Sequence, residues 1–134
     1  MSEQTETVSV PMKVVYTPAW LSWVAATTTC LRALEVACDP VDVAGMTGYA
    51  FHLLVARGLC PSGPTAFDWG ALLPGVWRLG RATSVFQVGC WTKPKESEAV
   101  REQFRQAHAM ARREVAAGRP CVMWGAYVPE FAAG

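Results

Sequence analysis

Histidine is scarce in this chain: His52 and His108 are the only two. A reaction that needs an imidazole base therefore has two places to find one. Charge is scarce as well. Charged residues make up 17% and the formal net charge is +1, which gives no electrostatic case for nucleic acid or an anionic membrane surface. No apolar run reaches the length that crosses a bilayer. Residues 1–7 are polar and acidic and lack the basic and apolar regions of a signal peptide. The five cysteines do not fall into CxxC pairs, so the spacing of a zinc site is missing. Reduced thiols in a cytoplasmic protein are the simplest reading of them. No cofactor and no metal is expected, and there are no internal repeats or low-complexity segments.

What is present is apolar. Hydrophobic residues make up 51% of the 134, and six are tryptophans, enough for a sizeable core, a ligand groove or both. The length suits one domain. Residues 1–9 read as a disordered tail and 10–134 as a single α+β domain.

Taken in order, residues 12–16 suit a short strand that Pro18 breaks. Thr27, Thr28 and Thr29 offer N-cap oxygens, and Leu31, Leu34 and Cys38 follow at helical spacing. This predicts a buried helix over about 28–38, ended by Asp39-Pro40, with Cys30 in its first turn. Asp42 can cap a short helix through Met46, which Thr47-Gly48 stops. Residues 49–55 read as a strand, 58–69 as a loop fixed by glycine and proline, and 70–79 as a helix closed by Gly80. Leu72, Leu73, Val76 and Trp77 are its expected inward face. A strand is expected over 83–90 and a long helix over 94–117, with Val100, Phe104, Ala107, Ala111 and Val115 as its buried stripe and Gly118 as its cap. The last strand is 120–127. The sum is an α+β fold, a small mixed or antiparallel sheet packed on a buried N-terminal helix. The last strand leaves Val122, Trp124 and Phe131 near an unpaired edge. That edge predicts a homo-oligomer or a partner segment, unless 12–16 covers it.

Chemistry centres on Cys30. At a helix start, the free amides and the dipole favour a thiolate, the form that acts as a nucleophile. His52, on the following strand, is the base it would need; a satisfied structural histidine is the competing reading. On this reasoning Cys30 alkylates faster than Cys38 or Cys121. Asp68 is the one carboxylate near an aromatic loop, and a helix N-cap is its alternative. Trp23 and Trp69, with Trp20 and Trp91, can line a substrate groove or simply pack.

Several stretches carry a family resemblance. Thr28-Thr29-Cys30-Leu31-Arg32-Ala33-Leu34-Glu35, Gly45-Met46-Thr47-Gly48-Tyr49-Ala50-Phe51-His52, Cys60-Pro61-Ser62 and Gly118-Arg119-Pro120 resemble bacterial proteins of the papain-like cysteine peptidase superfamily. The similarity is to the N-terminal domain of the butirosin-biosynthesis protein H and to bacteriocin-leader peptidases. It implies a papain-like partial domain that acts on an amide or thioester of a peptide or acyl substrate. Cys30 and His52 would be catalytic, and Trp23, Thr28, Asp68 and Trp69 would contact substrate. Register on Ala33-Leu34-Glu35 places the family's nucleophile at Thr28 instead. No Gln lies between Gln4 and Cys30 to stabilise an oxyanion, and the family's later strand is missing. The resemblance therefore also implies a truncated or degenerate member. Its alternative is a catalytically inactive binding or assembly domain that pairs with another chain or segment.

Overall fold

The computed structural model describes residues 11–52, 69–86 and 97–123. More than half of these are helical, and no strand occurs among them. The elements are α1 (Ser22–Ala33), α2 (Pro40–Met46), a 3-10 turn (Tyr49–Phe51), a second 3-10 turn (Trp69–Leu72) running into α3 (Leu73–Arg78), and α4 (Glu98–Ala116).

Helix α1 starts six residues earlier and ends five earlier than the threonine-cap reading places it. The threonines lie inside it. Their β-branched side chains cost helix propensity, but a hydroxyl that bonds a carbonyl one turn back offsets part of that cost. Thr28 Oγ1 donates to Val24 O at 2.7 Å, and Thr29 Oγ1 accepts the Thr17 amide at 2.9 Å. The end of α1 is hidden in the sequence because no glycine marks it. Glu35 takes a left-handed backbone, φ 62°, at the position where glycine usually sits. Glu35 N–H then donates to Arg32 O at 3.0 Å and Val36 N–H to Leu31 O at 3.0 Å, which closes a Schellman motif.

Beyond this turn Arg32 ties the chain back. Its Nε donates to Cys38 O at 2.9 Å and an Nη to Thr17 Oγ1 at 3.2 Å. Asp39-Pro40, expected to stop a helix, starts one. Asp39 Oδ1 accepts the Asp42 amide and Asp42 Oδ2 accepts the Asp39 amide, each at 2.9 Å, and Pro40 occupies the first helical position. Helix α2 ends, as expected, at Thr47, whose hydroxyl donates to Val43 O at 2.6 Å.

The core joins these helices. Val24, Leu31, Cys38, Val43 and Val76 are buried together, and Leu21, Trp23, Val36 and Tyr49 pack on them. Trp23 and Tyr49 stack with ring centroids 5.8 Å apart. Helix α3 crosses the end of α2 at Gly75, where a Cβ would lie 2.3 Å from Thr47 Cα and 2.4 Å from Met46 O. Pro74 sits in the first turn of α3 and Gly80, φ 94°, ends the segment, both as read. Leu72 and Val76 are buried, but Trp77 is 51% exposed and donates its Nε1 to Thr83 Oγ1.

Helix α4 follows the predicted stripe and charged face within the described residues. Val100 is fully buried, Phe104, Ala107, Ala111 and Val115 are half-buried, and Arg105 pairs with Glu98 and Glu102. Ser97 accepts the Val100 amide and Gly118, φ 75°, closes the C-terminal turn.

The α+β assignment is corrected. Residues 12–16, 82–86 and 120–123 form no strand and exchange no ladder hydrogen bonds among the described residues. Their β-branched and aromatic side chains favour extended backbone, and propensity alone supplies no partner strand. Tyr49, Ala50 and Phe51, read as strand, follow left-handed Gly48 and close a turn through Phe51 N–H to Gly48 O at 3.0 Å. The papain-like sheet packed on a buried helix is therefore not present in the described residues, and neither is the sheet edge expected at Val122. Residues 1–9, 53–55, 87–90 and 124–127, together with Phe131, lie outside them.

Two glycines of this fold should respond oppositely to alanine. Gly75→Ala forces backbone apart where α3 crosses α2, and should destabilise by roughly 2–3 kcal/mol, with loss of the thermal transition a permitted extreme. Gly45→Ala, with open space around the new methyl inside α2, should stabilise by about 0.5–1 kcal/mol. Thermal unfolding of both variants checks this; equal shifts would contradict the crossing.

Candidate functional site

Cys30 is the ninth residue of α1 and lies in its last turn, where the helix dipole is negative and the free groups are carbonyls. In this register Cys30 gains no thiolate stabilisation from a helix start. Burial pushes the Cys30 thiol up to about 11, and the neighbouring Cys121 adds to the effect. Thr28, the alternative nucleophile position, is fully buried with its hydroxyl committed to Val24 O.

His52 ends the 3-10 turn after α2 and is exposed. The stack of Tyr49 on Trp23 ties that turn to the first turn of α1. Cys30 lies seven residues further along the helix, about 10 Å at 1.5 Å per residue. Trp23 is half-buried in this stack. Asp68 lies outside the described residues, and of Trp69 only the backbone is placed, at the start of a 3-10 turn. Cys38 is buried, as a core residue should be; Cys121, expected to be one too, is exposed.

What the fold brings together instead is an apolar groove of about 390 Å³. Trp20 and Leu21 at the start of α1 form one wall, Val41 and Ala44 of α2 the other, and Ala50 and Phe51 of the 3-10 turn close it. No residue lining it carries an ionisable side chain. Trp20 is 100% exposed, Phe51 81% and Val41 77%. The sequence signals for this groove were Trp20, named among the tryptophans that can line one, and Pro40, read only as a break. Pro40 starts α2 and so places Val41 in its first turn, while Trp20 lies just ahead of α1.

A second hollow, about 560 Å³, lies between residues 11–13 and 32–35 and mixes Lys13, Arg32 and Glu35 with apolar neighbours. Among the described residues no three of His, Cys, Asp and Glu converge as metal ligands, and no helix is long and apolar enough to cross a membrane.

For Cys121 the expected order of thiol reactivity against Cys30 reverses with the register. At pH 8 a thiol titrating near 11 holds roughly two orders of magnitude less thiolate than an ordinary cysteine. Burial raises the Cys121 thiol as well, but this residue is exposed, so brief iodoacetamide labelling followed by mass spectrometry should find Cys121 modified before Cys30. Labelling at Cys30 first would restore an activated thiol.

No protein-family model, curated protein or solved structure matches this chain.

Proposed function

We propose that this chain is a catalytically inactive docking domain that holds an apolar segment of a partner protein in the groove between α1 and α2. The observation that carries the reading is the grouping of Trp20, Val41 and Phe51, three large apolar side chains left in solvent around one concavity. Single exposed apolar residues are ordinary, but a contiguous set is a feature of interaction sites. Tryptophan at the mouth of a groove is also the residue type that most often anchors a partner.

Magnitudes bound how strongly it binds. Full burial contributes ~1.5–3 kcal/mol per large apolar side chain, so the three together contribute ~6 kcal/mol. Association costs ~4 kcal/mol or more, which leaves a small surplus. Docking at this groove alone is thus weak and reversible, as suits a domain that assembles with others. Cys30, half-buried in the last turn of α1, has no part in this function.

A leucine-faced helical peptide with a neutral polar face is a suitable probe. Amide shift changes on titration should cluster at residues 19–24, 40–45 and 49–51. Trp20→Ala should weaken binding at least tenfold, roughly 1.4 kcal/mol, without changing the thermal transition, because the side chain is fully exposed. Cys30→Ala should bind as the parent does. An acyl adduct on Cys30, or hydrolysis that disappears in Cys30→Ala, would contradict the docking reading.

A further inference from the structure

We infer that the segment held in this groove is a single amphipathic helix carrying a lysine or arginine beside its apolar stripe. The inference rests on the docking reading and goes on to name the partner's backbone and charge.

The backbone follows from the lining. An extended segment carries amide and carbonyl groups along its whole length, and they need partners once water is excluded. The groove is lined by Ala19, Leu21, Val24, Ala44 and Gly45 among others, and none of its side chains is a hydrogen-bond acceptor. Nor do the described residues include a strand to which an extended segment could add. A helix satisfies its own backbone and presents only side chains, so it is the form that loses least on entering. The small residues Ala44, Gly45 and Ala50 in the lining admit the close approach that helix packing needs.

The charge follows from the end of the groove at Pro40 and Val41. Asp39 and Asp42 flank these two residues, and both are exposed. Each uses one carboxylate oxygen in the cap of α2. Two carboxylates outweigh the roughly half-unit positive charge of a helix N-terminus. Neither 19–24 nor 40–52 contains a lysine or arginine. Two carboxylates thus stand just beyond this end of the groove, while Arg32, which donates to Cys38 O and Thr17 Oγ1, is not among the lining residues. A basic residue next to the partner's apolar anchors is attracted there; an acidic one is repelled. The same acidic end disfavours an anionic lipid surface as the occupant.

The test uses three peptides of roughly four helical turns. The first two share a leucine face and differ in the flanking charge, lysine in one and glutamate in the other; the third is an alternating valine–threonine strand former. Binding to the full chain is followed by amide shifts and calorimetry. The lysine peptide should bind roughly tenfold tighter than the glutamate peptide at low salt, and the difference should shrink at high salt. The double variant Asp39→Asn, Asp42→Asn keeps side-chain oxygens for the α2 cap, and it should abolish the preference while leaving the thermal transition in place. Equal affinity for the two helical peptides at low salt would overturn the charge assignment. Equal or tighter binding of the strand former would overturn the helical one. Binding to phosphatidylserine vesicles stronger than to the lysine peptide would overturn both. If no peptide shifts the groove residues and Trp20→Ala changes nothing, the docking reading itself fails, which is a separate result.

Discussion

The closure of α1 at Leu34 and Glu35 is the constraint on which the remaining structure depends. Val36 N–H reaches back to Leu31 O and the chain reverses through a left-handed glutamate. A non-glycine residue in that region costs on the order of 1 kcal/mol, so the surrounding contacts must hold it there. Arg32 supplies two of them by donating to Cys38 O and Thr17 Oγ1, which pins the incoming and outgoing chain to the same end of the helix. With the reversal fixed, Asp39 falls where it can cap α2, and Val43 of α2 enters the core beside Val24 and Leu31. Helix α3 then fits across the end of α2 only because residue 75 has no side chain.

The same closure decides where the chemistry-bearing residues lie. A helix running from Ser22 to Ala33 carries Cys30 to its carbonyl end and leaves Trp20 just ahead of its amide end. One consequence is a thiol whose burial favours the neutral form. The other is an aromatic side chain fully in solvent, next to the first residues of α2. A nucleophile at Cys30 needs a helix that starts near Thr28, whereas the groove needs the one that starts at Ser22.

How much of this was legible can be followed residue by residue. Helix α4 was, because Val100, Phe104, Ala107, Ala111 and Val115 mark a stripe at helical spacing and Gly118 marks its end. The segment around α3 was too, since Pro74 and Gly80 fit only the start and stop of a short helix. The boundaries of α1 were not. Leu21 caps it without a side-chain bond, its threonines serve as interior residues, and its final turn is made by a glutamate. Strands were expected wherever β-branched and aromatic residues clustered, but at 82–86 such residues are exposed and form no strand or ladder among the described residues. Of the site, Trp23 was recognised as an aromatic of interest but stacks on Tyr49. Val41 and Phe51 went unnoticed because groove formation depends on two helix starts lying side by side, which local pattern does not encode.

The most direct measurement of the central claim is the backbone chemical-shift and coupling record of residues 20–40 in solution. Helical shifts from Ser22 through Ala33, a positive φ at Glu35 and a new helix beginning at Pro40 are the result this account predicts. A continuous helix from Thr28 to Cys38, with Glu35 in right-handed geometry, would contradict it and return Cys30 to a helix start.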